Sequence, residues 1–424
     1  MRVLLSTGIG SRGDVQPLVA LASRLRESGH EACLCVPPDF RDWIEGLGFP
    51  VTPIGPQLRG AGAPTRQSAG PAPQGHATGT SPERLGQLAE ATVAYQFTTI
   101  AEAAKGCDVI IETALQVAAR SVAEVLGLRY VFAAFCPAFL PSPHHAPPPL
   151  SAPGREQPPS AADNRELWSR HAERFNDRLR PALNSCRASA GLAPVDDVRS
   201  HVFTSRPWLA ADPVLAPWPG PAGGAVWQAG AWILPDQRPL DPVLEAFLQA
   251  GEPPVYFGFG SMRMPPEVAP VIAAAARRAG RRAVISAGWA GLALAGGEPG
   301  CLVIGEVNQQ NLFGRVAAVV HHGGAGTTTA AALAGAPQVV IPQAYDQHYW
   351  AQRVAHLGIG TAHPPGTPDA DSLAAALQRA LQPGVAARAR ALSPAIRTGG
   401  AQAAAANLIA GLRDSAGRRV TART

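Results

Sequence analysis

The sequence predicts two α/β domains, each a doubly wound parallel sheet, and three observations support that class. The chain has 424 residues, more than a single hydrophobic core usually organises. Short apolar runs rich in β-branched and aromatic residues alternate with helical patterns, the signature of βαβ units. The alternation occurs twice, interrupted around 206–236 by a stretch dominated by Pro, Trp and Gly.

In the first series, strands are predicted at Val3–Thr7, Glu31–Val36, Asp108–Glu112 and Tyr130–Phe135. Each is nearly continuous in hydrophobicity, as a strand covered on both faces must be. Helical patterns fall between them at Val15–Ser28, Pro82–Lys105 and Leu115–Leu126. Two long segments, 55–82 and 136–160, lack periodicity and are read as walls of a binding cleft, since loops of that length are usually functional or unstructured. Pro213, Pro217, Trp218 and Pro219 mark an interdomain linker at 213–235, between domains at 1–212 and 236–424. The second series has strands at Val255–Phe259, Ala283–Ser286, Leu302–Ile304, Ala317–His321 and Gln338–Ile341. Helices fit at 266–279, 327–334, 347–357 and 370–382, and a last helix at 398–413 is a candidate to cross back over the domain junction.

Composition removes several function classes. The net charge of +5 is spread along the chain, whereas nucleic-acid binding needs basic residues clustered on one face. The six cysteines, Cys33, Cys35, Cys107, Cys136, Cys186 and Cys301, form neither a CxxC pair nor a zinc-spaced cluster. A strand pattern beginning at residue 2 leaves no room for a secretory leader, and no apolar run has membrane-spanning length. A reducing, cytoplasmic setting is expected.

Gly8-Ile9-Gly10-Ser11-Arg12-Gly13 matches the G-x-G-x-x-G dinucleotide fingerprint and lies between a strand and a helix. The second strand ends Cys35-Val36-Pro37-Pro38, with no acidic residue to hold a ribose hydroxyl. Asp14 in the first helical turn would also repel a pyrophosphate. A nicotinamide- or flavin-dependent oxidoreductase is therefore the rival reading, not the preferred one.

A stronger site follows at 316–342. An apolar strand ends in His321 and His322, the run Gly323-Gly324-Ala325-Gly326 allows close backbone approach, and Thr327 and Thr328 stand at a helix start. A glycine turn opening a helix is a ready anion site. Gly258-Phe259-Gly260-Ser261 offers further amides and a hydroxyl. No Walker lysine is present, which argues against NTP hydrolysis, and no carboxylate pair near the glycine run suggests a metal.

These residues resemble the family 1 glycosyltransferases, most of all the bacterial branch that decorates glycopeptide and polyketide antibiotics. Sterol glucosyltransferases share the opening Gly-Ser-Arg-Gly-Asp-Val-Gln-Pro found at Gly10–Pro17. The resemblance is strongest at 1–40 and 301–360 and essentially absent at 55–80 and 140–165. It implies the GT-B architecture, two Rossmann-like domains facing a central cleft, and an inverting enzyme. Such an enzyme moves a hexose or deoxyhexose from a UDP- or dTDP-sugar to a hydroxyl of a lipophilic small molecule, with no cofactor and no metal. The donor diphosphate falls to His321, Gly323, Gly324, Gly326 and Thr327, with Ser261 and Arg12 as further candidates. Donor-sugar hydroxyls fall to Asp346 and Gln347 of Pro342-Gln343-Ala344-Tyr345-Asp346-Gln347. The base and ribose fall to Trp289, Val307 and Gln309, and the general base to Asp14. The opening Thr7-Gly8-Ile9-Gly10-Ser11 is one residue longer than that branch usually has.

Each residue has a plainer alternative. Asp14 or Asp346 is then a helix cap, His321 a strand-end histidine, Arg12 a solvated loop arginine, Ser261 a turn residue and Thr328 a helix starter. His322 is left open between site and structure. A nucleotide-sugar 2-epimerase, a sterol or lipid glucosyltransferase and a non-catalytic binding protein remain alternatives for the whole chain.

Overall fold

The computed structural model describes residues 1–8, 10–59, 82–114, 116–148, 163–221, 224–262, 264–294 and 297–421. Most of the two cleft walls expected at 55–82 and 136–160 lies outside the described residues.

The first sheet has seven parallel strands: β1 (Arg2–Ser6), β2 (Glu31–Val36), β3 (Val51–Pro53), β4 (Val109–Glu112), β5 (Arg129–Ala134), β6 (Trp208–Leu209) and β7 (Trp227–Gln228), in the order β3-β2-β1-β4-β5-β6-β7. The second has six: β8 (Val255–Gly258), β9 (Ala283–Ser286), β10 (Cys301–Ile304), β11 (Ala318–His321), β12 (Gln338–Val340) and β13 (Gly360–Ala362), in the order β10-β9-β8-β11-β12-β13. Both are covered by helices, and the central strands are buried along their length, as their unbroken apolar runs require.

Strand order positions the site. In each sheet the winding reverses once, between β1 and β4 and between β8 and β11. The crevice beyond the carboxyl ends of strands at such a reversal is where open α/β sheets bind ligands. Gly8 and Thr113 follow the strands at the first reversal; Phe259 and His322 follow those at the second.

Two strands lie where the apolar rhythm lapses. β6 and β7 are two residues each, too short to show a period, and they extend the first sheet through the Pro- and Trp-rich stretch to Gln228. The 26-residue helix Asn164–Ser189 is a further element, outside those the sequence pattern predicts. Its apolar face of Trp168, Phe175, Leu179 and Leu183 is diluted by arginine and glutamate on the others. The final helix, Gly400–Thr421, returns to the first domain: Ala401, Ala404, Ala405 and Leu408 share one apolar cluster with Val3, Leu5, Leu18 and Leu21. The buried Asp212 carboxylate fastens the same junction, accepting from Val214 N at 2.8 Å and Arg397 N at 2.8 Å.

Candidate active site

On the first domain, β1 leads through Gly10 into the helix Arg12–Glu27. The residue that caps this helix is Ser11, not Asp14. Ser11 is extended (φ −99°, ψ 153°) and its Oγ accepts from Asp14 N at 3.3 Å. The capping alternative for Asp14 is thus taken by its neighbour three residues earlier, which also donates its hydroxyl to the Asp14 carboxylate. Burial pushes the Asp14 pKa up to about 7; the Ser11 bond opposes this, and the Asp346 carboxylate from the other domain reinforces it. The Asp346 carboxylate is thus near enough to act on Asp14 electrostatically from the other domain.

On the second domain, β11 ends at His321 and the chain turns at Gly323. That glycine has φ +94°, and a Cβ there would lie 2.8 Å from Val340 Cγ1 and 3.0 Å from Gln347 O. Only glycine fits both the conformation and the space. Gly324 then begins the helix Ala325–Leu333 with no side chain bonded to its first amides. Thr328 and Thr329 turn their hydroxyls back to Gly324 O at 2.9 Å and Ala325 O at 2.8 Å. Thr327, with Gly326, is left at the open end, where helix amides and dipole favour an anion.

The two adjacent histidines are held differently. His321 is fully buried, accepting at Nδ1 from Gly323 N (3.0 Å) and donating from Nε2 to Gln338 Oε1 (2.9 Å). Burial, with His322 adding to it, lowers its pKa to about 3, so the ring is neutral and shapes the glycine turn through its backbone. His322 stands between the two glycine turns. A Cβ on Gly324 would lie 2.6 Å from its Nε2, and one on Gly260 would lie 3.2 Å from its Cε1. Among the described residues its buried Nδ1 has no hydrogen-bond partner, and burial lowers its pKa to about 4.

Ser261 follows the turn at Gly260, whose carbonyl accepts from Trp289 N at 3.0 Å. The Trp289 ring stacks on Phe40 of the first domain, centroids 6.1 Å apart. Val307 precedes Asn308, whose side chain caps the helix Gln309–Leu312 and ties it to Asp236 O and Arg238 O at 2.9 and 2.8 Å. Gln309 is bonded to the buried Tyr256 hydroxyl. Arg12 reaches across to the second domain, donating to Glu306 Oε2 at 2.6 Å while its guanidinium covers Trp43 at 4.8 Å.

The loop after β12 is tightly tied. Gln347 is 6% exposed; its Oε1 accepts from Gln343 N (2.7 Å) and Ala344 N (3.1 Å), and its Nε2 faces Met262 Sδ at 3.5 Å. Its amide thus organises the loop. Asp346 stands at the N-cap position of the helix Gln347–His356, yet no capping bond forms; its carboxylate accepts from Trp350 Nε1 at 3.0 Å. Burial raises its pKa to about 6 against that bond. Tyr345, immediately before Asp346, has φ +54°, a left-handed conformation that a bulky side chain adopts only when the surroundings impose it.

Among the described residues no group of three His, Cys, Asp or Glu is placed to hold a metal ion, and no helix is long and apolar enough to cross a membrane.

Two family models match this chain. The glycosyltransferase family 28 N-terminal domain covers residues 4–142, and the erythromycin biosynthesis protein CIII-like C-terminal domain covers residues 298–407. Glycosyltransferase GtfE of Amycolatopsis orientalis is 50% identical over 413 residues, 97% of each chain. The chain belongs to this glycosyltransferase family. Vancomycin aglycone glucosyltransferase of the same organism is 48% identical to the enzyme over 412 residues, 96% of this chain and 97% of that one. The fold matches the solved glycosyltransferase of kitacinnamycin with a TM-score of 0.68 at 20% identity, covering 96% and 98% of the two chains. It also matches Streptomyces sp. SF2575 glycosyltransferase SsfS6, solved with thymidine diphosphate, with a TM-score of 0.57 at 19% identity over 93% and 95%. The two sheets are those of the GT-B glycosyltransferase fold, and glycosyltransferases of this family use nucleotide-sugar donors.

Proposed function

We propose that the enzyme transfers a hexose or deoxyhexose, with inversion, from a UDP- or dTDP-sugar to a hydroxyl of a natural-product aglycone of the glycopeptide type. The observation that carries this reading is the glycine turn that opens the helix Ala325–Leu333 at the second strand-order reversal, with Asp14, held by Ser11, at the first. In this reading domain 1–212 holds the acceptor, 236–424 the donor, and 213–235 links them.

The acceptor oxygen attacks the anomeric carbon as the bond to the diphosphate breaks, and the hydroxyl proton passes to Asp14. A pKa of about 7 suits a general base at neutral pH. Charge building on the leaving diphosphate meets the amides of Gly324, Gly326 and Thr327, with Ser261 opposite and His322 between the turns. His321 and Gln347 act through the backbone they hold. Asp346 receives donor-sugar hydroxyls, and Trp289, Val307 and Gln309 border the nucleoside. The six unpaired cysteines suit a reducing cytoplasm.

The test is a thermal-stabilisation screen of UDP-glucose and several dTDP-deoxysugars, followed by mass-spectrometric detection of transfer to vancomycin aglycone and to a sterol. Transfer to the aglycone, unchanged by EDTA, is the expected result. Glycosylation of the sterol alone, or epimerisation of the donor without acceptor, overturns the reading.

A further inference from the structure

We propose that Tyr345 is an acceptor-binding residue whose ring forms an aromatic platform for the aglycone at the point of sugar transfer. The inference rests on the function proposed above and adds a residue to it.

Tyr345 is the apex of the loop between β12 and the helix Gln347–His356, and it is held there from both sides. Gln347 Oε1 accepts from Gln343 N and Ala344 N, Gln347 N donates to Ala344 O at 3.2 Å, and Gln343 Nε2 donates to Gly366 O at 3.0 Å. These bonds leave the apex residue in the left-handed region, where glycine or asparagine is the ordinary choice. A tyrosine is found there instead, and 45% of it is exposed. Among the described residues no hydrogen bond or ring contact holds its side chain.

Its neighbours indicate what it is presented to. The Asp346 carboxylate is taken up by Trp350 and the Gln347 amide by Met262 and the loop. Tyr345 beside them is left exposed. The loop is bracketed by Val340 and Trp350, which share an apolar cluster with Ala134, Cys136 and Leu140 at and beyond the end of β5. The apex thus stands over the cleft beside the acceptor domain's strand ends. An exposed phenol ring held by a rigid loop at that place binds a flat aromatic or apolar surface by stacking.

Tyr345→Gly removes the ring and relieves the backbone, and Tyr345→Phe retains the ring without its hydroxyl. The experiment measures melting temperature and steady-state kinetics with the donor and aglycone that the parent enzyme uses. Tyr345→Gly is expected to melt at or above the parent temperature and keep its donor KM within about twofold, while acceptor KM rises about tenfold, as the loss of one ring stack and its buried area requires. Tyr345→Phe restores acceptor KM to near the parent value. An unchanged acceptor KM in Tyr345→Gly overturns the platform, and so does a rise confined to donor KM, which would assign the ring to the donor sugar. A fall in melting temperature with both KM values raised assigns it to loop structure. A parent enzyme that glycosylates no aglycone is a different failure, that of the proposed function.

Discussion

The two strand-order reversals are built alike in topology and differently in chemistry. In the second domain, three polar side chains at the crevice are bound by protein: His321 to Gly323 N and Gln338, Gln347 to two loop amides, and Asn308 to two carbonyls. In the first domain, Asp14 rests on the Ser11 hydroxyl, which donates to its carboxylate and accepts from its amide. A diphosphate is the same in every nucleotide sugar, so its cradle can be a rigid backbone surface with buried supports. An acceptor crevice serving diverse aglycones keeps one reactive carboxylate and leaves shape to its surroundings. The difference teaches that substitutions on the donor side register as stability and affinity together, and those on the acceptor side as turnover.

The sharpest way to break that contrast is Asp14→Asn. An amide oxygen still accepts from Ser11 but takes up no proton in the transition state, so turnover should fall by about 10²–10⁴ with donor KM unchanged. The pH dependence supplies a second reading. Burial raises the carboxyl from 3.8 to about 7, so kcat/KM for the parent should rise with pH through about 7 and level off above it. Asp346→Asn removes the opposing negative charge and should move that midpoint to lower pH. Stability runs the opposite way: a carboxyl whose folded pKa is raised stabilises the fold below its unfolded value of about 4, and that contribution is lost as pH rises through about 7. Melting curves should therefore show Asp14→Asn gaining on the parent between pH 4 and 8. A variant that transfers sugar normally, or a pH profile flat across neutrality, removes Asp14 from the chemistry.

Next in size is the contrast between adjacent histidines. His321→Ala leaves Gly323 N and the Gln338 amide without their partner in a buried site, at about 1–3 kcal/mol for each unsatisfied group. It should lower the melting temperature by several degrees and weaken donor binding with it. His322→Ala removes a ring that faces the gap between the turns and whose Nδ1 has no hydrogen-bond partner among the described residues. Donor affinity should fall by about tenfold with little loss of stability, in keeping with a contact to an ionised group. Calorimetric titration with UDP or dTDP beside melting curves checks both. The reverse pattern would make His321 the ligand contact and His322 the support.

How much of this was legible beforehand follows from how local each feature is. β1, β2, β8 and β11 were readable because their apolar runs are unbroken and bounded by turns. β6 and β7 were not, because two-residue strands are made by their neighbours. The helix Asn164–Ser189 was readable in principle from Asp163 as its cap and Trp168, Phe175, Leu179 and Leu183 at helical spacing. Its charge density concealed that stripe. The cap of Arg12–Glu27 is Ser11, where the sequence reading put the capping alternative on Asp14; the Ser-x-x-Asp spacing, an acidic variant of the capping box, is the signal it passed over. That Gln347 faces inward, and that Trp289 meets Phe40, depend on tertiary contacts that no local pattern encodes.

The smallest expected effect concerns Arg12, whose two sequence readings were diphosphate counter-charge and solvated loop residue. The structure shows a third arrangement: Arg12 spans the cleft to Glu306, which also lies 3.4 Å from Arg59 Nη1. The Arg12 and Glu306 side chains are 33% and 48% exposed, so solvent screens the pair. An exposed ion pair is worth about 0–1 kcal/mol, and Arg12 keeps its packing on Trp43 whatever happens to Glu306. Glu306→Gln should therefore shift the melting temperature only slightly, and less at high salt than at low. The informative measurement is donor KM in Glu306→Gln beside Arg12→Gln. If the arginine serves the interdomain contact, both variants should change donor KM by less than about threefold, in the same direction, because each removes the same pair. If Arg12 neutralises the diphosphate, Arg12→Gln alone should raise donor KM by tenfold or more, since a contact to an ionised group is worth about 1.5–3 kcal/mol. Glu306→Gln should then lower donor KM by releasing the guanidinium toward the anion. The contact shown here predicts the first outcome.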